Sequence, residues 1–575
     1  MIKFKNKLIF LTFLFIFRPL TSQEALKSIE EEYYDFLSLT GVTERPTLGY
    51  RTLSDNVWTF KDVETFEENE DGTFTKVRVP GEESDAHIWK NNNLGTTYIL
   101  WKAPDPADNR FTRGIKQGFT ARIYGPEWFN SYNTAAPYGQ NDGALWQGRG
   151  YNTSLTAGIR LEGYGFELTF KPQVCWMENR EFEYKTSSNQ TPYNYFANGV
   201  DLVQRYGNTS LWNFDLGDSE LRYSWKSFTI GFGNQYTWLG PSYLNPMLGS
   251  NNASTYTKLD IGIRNTNISI PLKNKTIINL GNIEGRLWIG QLEESDFYDS
   301  IETNNKRLLT AISMSYAPSF INGLTIGINR IFISYWKPEN FKYILRLFTA
   351  EHNNALASSG NDEDQKLALF ANWNFPKIGF EIYGEFGVDD FTSNKWTNPF
   401  HTAIYTIGAK QFIPMPYNLK GELLFEWNNF EMSQDYQLEF PYLGYYAHGF
   451  VRQGYTNKGQ IIGAGTGSFG NSQYLAYKIY FPSGALNLFI HRYCPNNNYV
   501  YSQAVYSTAD KNISDLNKNW YDRYETYLIY GGNITYNIKN LFIDFGFSYL
   551  DLFCLQYKKT GGTSLNFTLQ LKYQF

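Results

Sequence analysis

A chain of 575 residues has room for several soluble domains or for one large barrel. Its net charge of -5 argues against a nucleic-acid partner, which calls for a basic face. Mean hydropathy is -0.43, yet 44 Tyr, 44 Phe and 15 Trp stand beside 48 Gly and only 3 Cys, a balance that suits a β-rich protein with aromatic girdles rather than an ordinary soluble enzyme.

The first element is a leader. Lys3, Lys5 and Lys7 precede the apolar run Leu8–Phe17, and Pro19 and Thr21-Ser22-Gln23 follow, so residues 1–22 read as a signal peptide cut near Ser22. The run is short for a membrane anchor and ends at Arg18. No Cys stands near the cut, which argues against a lipidated N-terminus. The leader carries Lys3, Lys5, Lys7 and Arg18 and no acid, so the remainder is more acidic than the whole. Cys175, Cys494 and Cys554 are an odd number, best read as buried or lipid-facing thiols.

From Glu24 to Leu39 the period is helical: Leu26, Ile29, Tyr33, Phe36 and Leu37 recur on one face, and Gly41 and Pro46 stand beyond the end. The stretch Glu64–Asp85 is acidic and poor in pattern. Residues 23–110 therefore read as an N-terminal periplasmic or plug-like region with one short helix.

Beyond about Gly114 the period changes to two, and 111–575 reads as a transmembrane antiparallel β-barrel. Leu155, Ala157, Ile159 and Leu161 alternate with Ser154, Thr156, Gly158 and Arg160; after the turn Glu162–Gly165, Phe166, Leu168 and Phe170 alternate with Glu167, Thr169 and Lys171. Leu221, Tyr223 and Trp225 give way near Ser227 to Phe228, Ile230 and Phe232. Ile378, Phe380 and Ile382 oppose Glu381 and Glu385, and Leu541–Tyr549 repeats the pattern. Alternation alone does not tell which face meets water. The end of the chain decides: Phe567, Leu569, Leu571, Tyr573 and Phe575 form an apolar face on a strand that would invite aggregation in a soluble protein. It resembles the terminal strand by which the barrel assembly machinery recognises outer-membrane proteins. Strands of about 9–11 residues, with their turns and loops, give about 18 strands facing outer-membrane lipid.

Catalytic signatures are few. There is no Walker A, HExxH, paired CxxC or GxSxG pattern, and Gly465–Gly470 matches GxGxxG without a following helix. His87, His352, His401, His448 and His491 show no metal-ligand spacing, so neither a metal nor another cofactor is expected. Glu381/Glu385 and Glu422/Glu426 fall on single strand faces, where acids of a polar lumen pair with neighbouring bases more readily than they hydrolyse glycosides. Segments that mix aromatics with Asn suit sugar binding, by stacking on rings and hydrogen bonding to amides. The candidate ligand-binding aromatics are Trp128, Tyr132, Trp238, Tyr243 and Tyr499.

Six stretches, in order along the chain, resemble the capsule-assembly Wzi family of outer-membrane proteins: Glu44–Ser54, Gly143–Gly150, Phe214–Glu220, Trp238–Pro241, Ala317–Gly327 and His448–Gly459. The resemblance implies a barrel of about 18 strands, occluded by an N-terminal helical segment, that holds capsular or other surface polysaccharide through outer loops and performs no catalysis. The gliding-motility surface protein RemB is similar in the same way, so an adhesin of the gliding machinery is the alternative; a solute channel ranks third. One departure stands out. Where the family often carries an Asp-His pair this chain has Asp389-Asp390-Phe391, with His401 downstream.

Overall fold

The computed structural model describes residues 28–51, 58–68, 73–89, 97–103, 118–184, 200–271, 277–348, 363–389, 397–440, 443–496, 524–555 and 560–573. The leader, Asp390, Phe391, Tyr499 and Phe575 lie outside these ranges.

Eighteen antiparallel strands close into a barrel. They are β1 (Thr120–Asn133), β2 (Gly150–Gly163), β3 (Phe166–Phe170, resumed as Gln173–Met177), β4 (Leu211–Asp215, resumed as Glu220–Trp225), β5 (Phe228–Gly233) and β6 (Lys258–Pro271). There follow β7 (Ile277–Glu293), β8 (Lys306–Pro318), β9 (Leu324–Tyr335), β10 (Glu363–Phe375), β11 (Phe380–Asp389) and β12 (Ala403–Pro414). The last are β13 (Lys420–Asn429), β14 (Asn471–Phe481), β15 (Gly484–Cys494), β16 (Thr526–Ile538), β17 (Leu541–Phe553) and β18 (Gly562–Tyr573). Each pairs with its neighbour in sequence, and β18 closes on β1 through Asn566↔Asn133 to Lys572↔Glu127. The other half of β1, beyond a bulge at Gly125-Pro126, pairs with Thr97–Lys102.

Turns at one end are tight, as at Tyr164-Gly165, Lys226-Ser227 and Pro482-Ser483, while connections at the other end are long, as at 178–210, 234–257 and 430–470. Short periplasmic turns and long outer loops orient an outer-membrane barrel. Ile378 falls in the turn Pro376–Gly379 rather than on a strand, because the pairing of β10 with β11 begins at Phe375↔Phe380.

The alternation resolves into two faces. Leu155, Ile159, Phe166, Phe170, Leu221, Phe228, Phe232, Ile382, Phe545 and Phe547 are exposed on the outer wall. Arg160, Arg222, Asp260, Arg286, Lys366, Glu381, Glu422 and Lys572 are buried inside it. Each buried charge is offset locally: Arg222 joins Glu220 at 2.8 Å and Asp260 at 2.7 Å, Arg286 joins Asp260 at 3.2 Å, and Lys366 joins Asp364 at 2.9 Å and Asp389 at 2.7 Å. A charge taken from water without such partners would cost several kcal/mol.

The lumen is packed with chain. At the short-turn end lies helix α1 (Ile29–Ser38), which begins where the Ser28 hydroxyl accepts from the Glu31 N–H and stops short of Gly41, at φ 75°. Its apolar face stacks Tyr33 on Trp89 with centroids 4.1 Å apart and Phe36 on Tyr480 of β14 at 4.4 Å. The Trp89 indole donates to the Phe481 carbonyl (2.8 Å), tying this layer to the β14–β15 turn. Its polar face is ion-paired to the wall through Glu30–Lys572 (3.1 Å), Glu32–Lys478 (3.0 Å) and Asp35–Lys410 (2.5 Å).

Towards the long-loop end, segments 234–257 and 443–470 fold inward and build a second core. Tyr50, Leu239, Met247, Leu248, Trp288, Ile331, Tyr445, Tyr446 and Tyr455 pack together there, buried within the barrel.

Candidate functional site

Three strand carboxylates hold the inward segments, and each does so by collecting backbone N–H groups. Glu284 of β7 accepts from Leu48, Gly49 and Tyr50 at 2.9, 2.8 and 3.1 Å. Glu385 of β11 accepts from Ser242 at 3.1 Å and Met247 at 3.0 Å. Glu426 of β13 accepts from Tyr243 (2.6 Å), Leu244 and Asn245 (2.8 Å), and from the Tyr383 hydroxyl (2.9 Å). Gly240 carries the tight approach, since at φ 88° a Cβ would sit 2.7 Å from the Glu385 carboxylate. A two-residue sheet, Trp238↔Arg51 and Leu239↔Tyr50, then joins segment 234–257 to the N-terminal region.

The paired acids singled out in the sequence therefore serve as fasteners. Glu381 meets Arg45 at 2.5 Å and Lys410 at 3.6 Å, and Glu422 lies 3.9 Å from Lys478. All four are buried and engaged, which leaves no open pair flanking a substrate. Gly465–Gly470 is likewise an inward turn, running straight into β14. No group of three His, Cys, Asp or Glu able to hold a metal occurs among the described residues. None of the three cysteines is in a disulfide, and Cys175 and Cys494 are buried.

The predicted aromatics that the structure describes fall in two places. Trp128, 45% exposed, and Tyr132 stand four residues apart on the outward face of β1, where Trp128 donates to the Thr153 hydroxyl (2.9 Å) and Arg180 to the Tyr132 hydroxyl (3.1 Å). Trp238, 1% exposed, donates to the Ser242 carbonyl inside the lumen. Tyr243 is lumenal too, its hydroxyl donating to Glu32 (2.8 Å) and its ring 4.6 Å from the Lys478 ammonium. Tyr499 lies outside the described residues.

A cleft of about 590 Å³ opens among the long loops. Its aromatic wall is built from three loops: Trp146 meets Tyr206 edge-on at 5.2 Å, and Tyr206 meets Phe297 edge-on at 5.6 Å. Leu211, Asn213 and Ser254 line the side nearest the barrel, and Glu293, Glu294, Asp296 and Lys458 are among the other lining residues. The Tyr206 hydroxyl donates to the Lys458 carbonyl (2.8 Å). Buried Asp201 fixes the 294–298 loop by accepting from the Ser295 N–H (2.7 Å) and hydroxyl (2.6 Å). Burial pushes the Glu294 carboxyl up to about 7; the Gln453 amide that donates to it works the other way, and Asp299 and Asp201 add to the rise. Sequence reading passed over this cleft, although Trp146 sits in the Gly143–Gly150 stretch and Glu293–Tyr298 mixes acids with aromatics directly after a strand.

A second loop contact lies apart from the cleft. His401 Nδ1 pairs with Asp435 and its Nε2 is 3.5 Å from Glu439, joining the β11–β12 loop to the helix Gln434–Glu439. The hydrogen bond from His401 holds the Asp435 carboxyl down to about 2.

Residues 138–521 match the family model described as capsule assembly protein Wzi. Among solved structures the chain is similar to Wzi of Escherichia coli, an outer membrane protein involved in group 1 capsule assembly and a carbohydrate-binding β-barrel, at 10% identity over 78% of this chain and 85% of that one, TM-score 0.48. It is also similar to OprB of Pseudomonas putida, at 9% identity over 81% of this chain and all of that one, TM-score 0.35. No curated protein matches by sequence.

Proposed function

The chain belongs to the capsule assembly Wzi family of outer-membrane barrels, and from that premise we propose that it holds surface polysaccharide at the cell through its outer loops and performs no chemistry on it. The observation that carries this reading is the aromatic cleft at the long-loop end. Trp146, Tyr206 and Phe297 offer ring faces and edges for a sugar's C–H groups, beside Asn213, Gln460 and carboxylates for its hydroxyls. A packed lumen supports the same reading, because helix α1 and the inward segments take up the space a porin gives to solute.

Deletion of the gene tests it: cell-bound polysaccharide should fall while free polysaccharide in the medium rises. Loss of cell spreading with the bound layer intact would replace this reading with that of a gliding adhesin. Steady current through the purified barrel in planar bilayers would replace it with a channel.

A further inference from the structure

Granted that the outer loops hold saccharide, the charge of the cleft says which kind. Three of its lining side chains, Glu293, Glu294 and Asp296, are carboxylates, and Lys458 is its one lining cation among the described residues. The Lys458 ammonium is 3.6 Å from Glu293, both half-exposed, so it offsets a charge already present. Two nearby guanidinium groups spend donors on carbonyls rather than on the cleft's lining side chains. Arg205 donates to the Asn179 carbonyl (3.1 Å), and Arg307 donates to the carbonyls of Gly454 (2.6 Å) and Glu293 (2.9 Å).

We infer that the cleft selects sugar units that carry no negative charge, and rejects uronic acids and other acidic sugars. Ionised carboxylates only accept hydrogen bonds, so they match ligand groups that donate, such as hydroxyls, acetamido N–H groups or amines. A uronate carboxylate brings a second acceptor with no proton to share, together with like-charge repulsion. The aromatic wall is indifferent to charge and serves affinity; the acids serve choice.

The test uses the full-length barrel in nanodiscs at pH 8, with a neutral glucan hexamer, a chitosan hexamer and an oligogalacturonate hexamer, measured by calorimetry with and without calcium. The glucan and chitosan should bind at least ~10-fold more tightly than the galacturonate, the ratio expected of one or two unfavourable charge contacts. The double variant Glu293→Gln/Asp296→Asn should shrink that ratio toward one, through a gain in galacturonate affinity. Galacturonate binding as tight as glucan binding, galacturonate binding that depends on calcium, or a ratio unmoved in the double variant overturns the inference. If native envelope polysaccharide binds while these ratios fail, the charge rule alone falls. If neither it nor any hexamer binds, the anchoring reading falls with it.

Discussion

The lumen and the outer cleft are built from the same residue types and use them in opposite ways. Inside, Trp238 is covered on all sides and Glu426 spends its oxygens on three consecutive backbone N–H groups and a tyrosine. Outside, Trp146 is half-buried on the edge of Tyr206, and Glu293 and Asp296 are exposed. A buried carboxylate already satisfied by peptide donors has no capacity left for a ligand, and an exposed one has nearly all of it. Burial, rather than composition, separates fastener from contact.

The sharpest way to break that comparison is to truncate one tryptophan from each region. Trp238→Ala empties a packed site and should cost about 3–5 kcal/mol. On unheated gels the temperature at which the folded band gives way to the unfolded one should drop markedly. An unchanged transition would mean that the inward segment does not hold the barrel.

Acid should act next. Burial alone would raise the Asp35 carboxyl, but Arg45, Lys410 and Arg51 outweigh it and hold Asp35 well below the usual carboxylate range. Its stabilisation is present above the unfolded value near 4 and is lost as pH falls below that. Asp35→Asn should lower stability at pH 7 by about 1–3 kcal/mol and flatten the loss between pH 4 and 2. Equal acid sensitivity in the variant and the parent would show that α1 is held by something else.

Trp146→Ala is the counterpart at the cleft. It should weaken saccharide binding about 3–10-fold, in line with one aromatic contact, and leave the gel transition in place. A fall in stability as large as that of Trp238→Ala would erase the distinction between the two regions.

The smallest effect belongs to Glu294. Burial raises its carboxyl to about 7, so the folded form takes up a proton that the unfolded form has already released. Its contribution is most favourable below about 4.5 and is lost as pH rises to 7, the opposite slope to Asp35. Glu294→Gln should remove that decline, which is under about 1 kcal/mol for a half-exposed group. Hydrogen exchange at Ser295–Tyr298 reads it locally; a decline that persists in the variant would assign it to another group.

Much of the wall was legible because a membrane strand must alternate. Leu155–Leu161, Phe166–Phe170, the reset at Ser227 and the count of 18 all follow from period two and strand length. The inward segments were not legible. Asn-rich aromatic loops read the same whether they face water or fold back into the barrel, and Trp238 and Tyr243 carry no local mark of burial. The mark lies in the register. Glu381 stands opposite Lys410 and Glu422 opposite Lys478, whereas Glu385 stands between Phe370 and Thr406, and Glu426 between Gly408 and Tyr474. An interior acid with no basic cross-strand neighbour must find its donors in another part of the chain, and here they are the N–H groups of a folded-in loop.

The short sheet Trp238↔Arg51 and Leu239↔Tyr50 has a mechanical consequence. The segment that supplies Ser254 to the cleft also grips, deep in the barrel, the stretch that Glu284 pins to the wall. A pull on the outer loops is thereby passed to the short sheet and to the hydrogen bonds that Glu284 accepts inside the barrel. Such an arrangement yields only when many bonds part together, so the loops resist tension as an anchored cable does rather than as a free flap.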